Sequence, residues 1–392
     1  MGDLHRSDAP TPTRSWAIET TANTVTLPNL PTICCVDDFQ RVAQQRLPKA
    51  LYEYLASGTD REQTLRENQA AFLRYYLRPR MLRPVGDLSP ATTLLGQSLA
   101  FPVLVSPAGV MGLCDAAEGE YAAARACGRM EIPYGLSQHA TRSIEEVAAA
   151  APDTALWYQI YILKDRSRTI SLMERAVRAG YRGFFLTVDS VRFGYREADA
   201  RNGFNALPPP HRLANYDDPS VYNSQKHASW DQNSEEMFDQ NLSWDDVAWV
   251  KQYTQGRPLV IKGIMTGEDA HLAVEAGADA VMVSNHGGRQ LDGALATIDA
   301  LPEVSLSVQG RIPILLDSGV RRGTDVVKAI ALGATAVGLG KPVFFALGIG
   351  GEEAVVQMLR MLKTEFEAAM ALCGCRRVDD IDERIVGYRS RI

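Results

Sequence analysis

Eight short apolar runs recur from residue 103 onward, and stretches with helical spacing separate them. The runs are 103–106, 134–136, 156–160, 183–188, 259–262, 280–284, 314–317 and 336–339. Most are bounded by Gly or Pro, which confines them to strand length. Between them, segments 118–127, 144–150, 169–179, 270–276 and 323–331 carry the spacing of amphipathic helices. Strands alternating with helices imply a parallel sheet, and eight such units imply a (β/α)8 TIM barrel more than an open doubly wound sheet. The phrases 276–284 and 331–340 read as helix-glycine-strand junctions.

The flanks read differently. Residues 1–33 are polar and rich in Thr and Pro, the composition of a flexible arm. Segments 36–55 and 60–72 have helical periodicity and meet at Ser57-Gly58, so two helices form an N-terminal extension. The barrel domain is expected over 34–378 and a C-terminal tail over 379–392. The interval 202–242 contains Pro208, Pro209 and Pro210 and is long for a connection inside a domain. It follows the fourth run, where a barrel places loops over its site, so it is expected to be a lid.

Composition excludes whole classes. With 392 residues, 46% of them hydrophobic and 22% charged, the chain is too apolar for wholesale disorder. A net charge of −6 argues against nucleic-acid binding. The six cysteines show no CxxC spacing and read as reduced thiols. Stretch 329–351 is apolar, but Lys341 and Pro342 interrupt it, so it reads as strand, turn and helix and not as a membrane span. The N-terminus has no apolar core of the kind a signal peptide needs.

The sharpest chemical feature is the segment Ser284-Asn285-His286-Gly287-Gly288-Arg289, directly after the sixth run. The glycines permit a tight turn and close approach to a ligand. His286 is thereby placed at the face where barrel catalysis occurs, with a side chain suited to taking a proton near neutral pH. Arg196 follows the fourth run, and Arg289 follows His286. Two guanidiniums flanking one site suit a carboxylate. Lys262 ends the fifth run, where a buried amine needs a partner. It could be a Schiff-base lysine, an anion stabiliser or a solvated strand end. Asp317-Ser318-Gly319-Val320-Arg321 and Gly338-Leu339-Gly340-Lys341 follow runs seven and eight, the usual phosphate position of a barrel. Walker, complete GxGxxG and HExxH patterns are missing, so no metal is expected. Together these residues imply a phosphate-bearing cofactor, a carboxylate substrate and a histidine base.

The motif SNHGGRQLDG, followed by DSGVRRGTDVVKAIALGA, resembles the FMN-dependent 2-hydroxy acid oxidase and dehydrogenase family. LPKALYEYLASG, YQIYILKDR, LTVDS with READ, and LVIKG extend the resemblance over nearly the whole chain. It implies FMN as cofactor and oxidation of a small (S)-2-hydroxy acid, lactate or glycolate, to the 2-keto acid. Oxygen would be reduced to hydrogen peroxide. Position by position, His286 resembles the base, Asp189 its orienting carboxylate, and Tyr161 the partner of the substrate hydroxyl. Tyr54, Arg196 and Arg289 resemble the carboxylate grip. Ser137, Gln159, Thr187 and Ser284 match flavin-ring contacts. Lys262 resembles the cation beside the flavin, and Pro107, Ala108 and Gly109 the backbone packed near it. Asp317, Ser318, Gly319, Val320 and Arg321, with Gly340 and Lys341, match the ribityl and phosphate cradle. Homo-oligomers, tetramers or octamers, are implied as well.

Three positions depart from the pattern. His139 stands where glycolate oxidases carry Trp in the substrate pocket. Gly109 replaces the usual alanine of the oxidases, as in dehydrogenase and lactate 2-monooxygenase members, which bears on the electron acceptor. Lys341 replaces an arginine. The terminal Ser390-Arg391-Ile392 approximates a peroxisomal address, with the cytoplasm as the alternative.

Overall fold

The computed structural model describes residues 33–204, 206–216 and 237–388. The expected arm, except Ile33, most of the expected lid and the terminal tripeptide lie outside the described residues.

Each apolar run is a strand: Val103–Ala108, Tyr134–Leu136, Leu156–Ile160, Gly183–Thr187, Leu259–Ile264, Ala280–Val283, Ile314–Leu316 and Ala336–Leu339. Neighbours pair in parallel, and the eighth strand returns to the first with Val337 opposite Val103, closing the barrel. This is the (β/α)8 architecture expected from the alternation.

Side chains along a strand alternate between faces. Leu104, Trp157, Phe185, Val260, Met282, Leu315 and Ala336 fall on one parity and pack together inside the barrel. Val103, Val105, Tyr158, Phe184, Leu186 and Ile261 fall on the other and join the larger core beneath the helices. An antiparallel hairpin, Thr92–Leu94 with Gln97–Leu99, plugs the N-terminal mouth. Its Leu94 and Leu99 extend the inner cluster, and Gln97 Oε1 accepts from Trp157 Nε1 at 3.0 Å. Two residues further along, about 6.6 Å by strand rise, the same parity carries Ser106, Gln159, Thr187, Lys262, Ser284, Asp317 and Gly338. The polar site is therefore the next storey of the barrel interior.

The extension differs from its expected form. Segment 36–55 is two helices, Val36–Arg46 and Lys49–Ala56, because Pro48 has no amide to donate and Leu47 is extended. Segment 60–72 is the helix Gln63–Ala70 followed by a single tight turn, Ala71–Arg74. The segment set apart as a tail packs back as far as Tyr388: Val386–Tyr388 pairs antiparallel with Tyr75–Leu77. Helix Lys341–Cys373 begins directly after the eighth strand and is interrupted at Gly350–Gly351. It is long and apolar enough to cross a membrane, but most of its apolar stretch is buried in the domain. The cysteines are free thiols, as their spacing implied.

Candidate active site

The segment after the sixth strand is wound into a left-handed turn. His286 has φ 58°, Gly287 68° and Gly288 72°. A positive φ is uncommon outside glycine and is held here by surrounding contacts. The His286 amide donates to Ser284 Oγ at 3.2 Å and the Gly287 amide to Ser318 Oγ at 2.9 Å. Thr59 donates twice to the Gly288 carbonyl, through its amide at 3.0 Å and its hydroxyl at 3.1 Å. Asn285 and Asn68 exchange amide hydrogen bonds at 2.6 and 2.9 Å. A Cβ on Gly288 would lie 2.7 Å from the Leu65 backbone, so this position has room for glycine only. The N-terminal extension thus braces the histidine loop from outside.

Asp189 emerges from the fourth strand and reaches His286: Nδ1 lies 2.9 Å from Oδ1. Ser190 Oγ donates to the same oxygen at 2.9 Å. Lys262 Nζ donates to Ser284 Oγ at 3.0 Å and stands 3.9 Å from both Asp189 Oδ2 and Asp317 Oδ2. Burial alone would raise the Asp189 carboxyl. The charges of His286 and Lys262 and the hydrogen bonds outweigh it and hold the group down at about 2. Asp189 is therefore an anion at neutral pH and accepts only, so Nδ1 of His286 is the donor in this pair. Of the alternatives open for Lys262, this arrangement fits an anion stabiliser: the amine is buried between two carboxylates.

Tyr54, on the helix Lys49–Ala56, lies between the two arginines. The Arg196 guanidinium is 5.8 Å and that of Arg289 5.0 Å from its ring centre. Arg196 Nε is tied to Asp199 Oδ2 at 2.5 Å, which leaves its terminal nitrogens for another partner. Arg289 Nη1 donates to the carbonyls of Tyr54 at 2.6 Å and Ser57 at 3.3 Å. Burial, and then the charge of Arg196, lower the Arg289 guanidinium to about 10. Two cations held this close call for an anion between them.

The opposite wall is aromatic. His139 stacks on Phe238 at 5.7 Å and sits 5.1 Å from Tyr161. Burial, and then the nearby His286, lower His139 to about 3, so its imidazole is neutral at any ordinary pH. Burial, and then the Asp189 charge, raise the Tyr161 phenol, which stays a hydrogen-bond donor. A Cβ on Gly109 would meet the His139 Cβ and carbonyl oxygen, each at 3.1 Å. Gly109, just past the first strand, and the pocket histidine thus fit each other closely.

Of these groups, His286, Lys262, Tyr54, Arg196, Arg289, His139 and Tyr161 line one cavity of about 180 Å³. At the end formed by the 317–321 segment, Ser318 and Gly319 turn with φ 72° and 102°, and Arg321 stands buried with its Nε without a hydrogen bond. Gly340 carries open space where a side chain would be. Lys341 lines this end too, but its Nζ donates to the carbonyls of Ala56 and Ser57, each at 2.9 Å. Burial, and then the charges of Arg289 and Arg321, push its ammonium well below the usual lysine range. Pro107, Ala108, Gly109, Ser137 and the 317–321 segment also face the cavity. Asp189, Gln159, Thr187 and Ser284 stand one layer behind. Gln159 Oε1 accepts from Ser137 Oγ at 3.1 Å and the Gln138 amide at 3.2 Å, while its Nε2 is buried without a partner. An orphan amide donor in the polar storey and a cation-rich glycine cradle at the end fit a ring with acceptor atoms joined to a phosphate.

Sequence reasoning overlooked several residues. Ser106 Oγ bonds Asp317 Oδ2 at 3.1 Å, and strand parity with Gln159 and Lys262 could have found it. Asn68 and Thr59 brace the histidine loop across more than 200 residues, which local patterning does not register.

A family model described as FMN-dependent dehydrogenase matches residues 43–388. The 2-hydroxyacid oxidase 1 of Mus musculus is 43% identical over 91% of this chain and 97% of its own length. The glycolate oxidase of Spinacia oleracea is 44% identical over 88% and 93%. Among solved structures, a mandelate oxidase with (S)-4-hydroxymandelic acid superposes with TM-score 0.86 at 37% identity, covering 92% of this chain and 99% of its own. A lactate oxidase of Pediococcus acidilactici gives 0.84 at 34% identity, covering 92% and 96%.

Proposed function

This chain belongs to the FMN-dependent dehydrogenase family, the 2-hydroxy acid oxidases among them, and from that premise we infer what each residue of its cavity does. It is an FMN-dependent oxidoreductase that converts 2-hydroxy acids to 2-keto acids. FMN, when bound, supplies the two-electron acceptor. One observation carries the assignment of roles. An imidazole paired with an ionised carboxylate shares a single cavity with two half-buried guanidiniums.

Arg196 and Arg289 take the substrate carboxylate, and the Tyr54 hydroxyl supports it. This fixes the acid end and turns the 2-hydroxyl toward His286 and Tyr161. Tyr161 donates to that oxygen. His286 Nε2 takes the hydroxyl proton, and Asp189 stabilises the resulting imidazolium through Nδ1. Ser137, Gln159, Thr187 and Ser284 hold the flavin ring, with Lys262 as the cation that meets its added charge on reduction. Pro107, Ala108 and Gly109 pack their backbone on the ring. Asp317, Ser318, Gly319, Val320, Arg321 and Gly340 receive the ribityl and phosphate, with Lys341 at the same end.

The wall of His139 and Phe193 suits a small or medium aliphatic substrate, so L-lactate and glycolate lead. Oxygen is the proposed acceptor, with hydrogen peroxide released. Gly109 favours a second reading, in which electrons pass to another acceptor or the peroxide is retained for decarboxylation. A homo-oligomer and, from Ser390-Arg391-Ile392, a peroxisomal location belong to the same reading.

The test is anaerobic mixing of the yellow protein with L-lactate, then with glycolate, followed by oxygen. Bleaching and rapid recolouring with peroxide release support the oxidase. Bleaching with slow recolouring supports the second reading. No bleaching with any small 2-hydroxy acid contradicts the substrate assignment.

A further inference from the structure

Lys341 does something different from what its position after the eighth strand suggests. Its backbone opens the helix Lys341–Cys373 at the phosphate end of the cavity, where a cation is ordinarily read as an anion ligand. Its side chain runs on to the N-terminal extension. The Cε atom passes 3.6 Å from where a Gly287 Cβ would stand, beside the catalytic loop. The ammonium ends on Ala56 and Ser57, each carbonyl at 2.9 Å.

Those carbonyls belong to the last residue of Lys49–Ala56 and to the C-cap residue that follows it. The final carbonyls of a helix have no partner within it and carry its negative end. Arg289 donates to the same turn, at the Tyr54 and Ser57 carbonyls. Ser57 therefore accepts from both cations, and Lys341 and Arg289 are joined through one peptide oxygen. The Tyr54 ring, on this turn, lies beside both Arg289 and Arg196. The turn that carries Tyr54 and holds Arg289 is thus pinned by an amine rooted after the eighth strand. Lysine reaches these oxygens as a point charge on a flexible stem, which a planar guanidinium would not duplicate.

We propose that Lys341 is a positioning residue for the substrate carboxylate: it clasps the Ala56–Ser57 turn and thereby sets Tyr54 and Arg289 against Arg196. Phosphate binding then falls to Arg321 and the amides around Ser318 and Gly319. The inference rests on the carboxylate site proposed above. It assigns the cation that departs from the family pattern to the substrate side of the site.

Two affinities separate the roles. FMN binding is measured by quenching of flavin fluorescence on titration into apoprotein. Carboxylate binding is measured on flavin-saturated protein, with oxalate as probe and the flavin spectrum as readout. Lys341→Met should weaken oxalate at least tenfold and raise KM for the 2-hydroxy acid more than it lowers kcat, with FMN affinity kept within threefold. Lys341→Gln, whose amide still donates, should recover part of the oxalate affinity, and it provides the same comparison if the Met variant does not fold. A tenfold or larger loss of FMN affinity with oxalate unchanged would make Lys341 a phosphate ligand and overturn the proposal. Equal loss of both affinities, no loss of either, or a Gln variant no better than Met would overturn it as well. If the unaltered protein binds FMN but not oxalate, the carboxylate site itself is misassigned. That result is distinct from one in which only the variants behave differently from expectation.

Discussion

Two storeys of the same barrel interior do opposite work. The lower one, Leu104, Trp157, Phe185, Val260, Met282, Leu315 and Ala336, is apolar and fully packed. The upper one, two residues further along the same strands, holds Ser106, Gln159, Thr187, Lys262, Ser284 and Asp317. Both are buried, and both follow from one period-two pattern. They differ in how burial is compensated. Below, removal of apolar area from water is itself the stabilisation. Above, each buried polar group needs a partner: Lys262 has Ser284 and two carboxylates, and Ser106 has Asp317. Gln159 Nε2 has none, which marks where a ligand completes the layer. The lower storey should therefore control stability and the upper one chemistry.

The largest break in that contrast should come from Asp189→Asn. The amide cannot hold Nδ1 as donor in the same way, and flavin reduction should slow about 10²–10⁴-fold. Stopped-flow reduction under anaerobic conditions checks this, and a rate within a few-fold of the unaltered protein would remove Asp189 from its role.

Trp157→Ala should do the reverse. Loss of a fully buried indole from the lower storey should cost about 3–5 kcal/mol of stability. The reduction rate per flavin-loaded molecule should be preserved. Denaturant unfolding beside single-turnover kinetics tests both halves, and a selective rate loss would show that the storeys are not separable.

Arg289→Lys is a smaller change. It retains charge but loses the fork, so KM should rise roughly tenfold, about the 1.5 kcal/mol of one charged hydrogen bond. An unchanged KM would place the substrate carboxylate elsewhere.

The smallest effect concerns acid stability. Asp189 is held at about 2, below its ordinary 3.8. A carboxyl lowered by folding stabilises the protein above its unfolded value, and that contribution disappears as pH falls from 3.8 toward 2. Asp189→Asn should flatten the loss of stability across that window. An identical slope in both proteins would show that the pairing with His286 and Lys262 contributes nothing to folding.

The storeys were unequally legible in the sequence. All eight strands announced themselves because each is a compact apolar run, most of them bounded by Gly or Pro. Some polar residues above them were readable where they closed such a run, as Lys262 and Ser284 do, whereas Ser106 closes the first run and was missed. The break at Pro48 was also available, but continuous helical periodicity on both sides of it masked the extended Leu47. Helix Thr297–Val308 carries Pro302 in its interior and gave no clean periodic signal. The bracing of the histidine loop by Thr59 and Asn68 was beyond reach. It depends on residues 217 and 229 positions apart meeting in space. The destination of Lys341 was hidden for the same reason, since sequence shows where a side chain starts and not which carbonyl it reaches.

The most direct test of the central claim is the anaerobic rate of flavin reduction by L-lactate in His286→Ala beside the unaltered protein. The account predicts that the variant still binds FMN and is yellow, and that its reduction is slower by at least about 10²-fold, the scale of general-base help. Reduction at an undiminished rate would contradict it, because the proton of the 2-hydroxyl would then be leaving by a route that does not pass through His286.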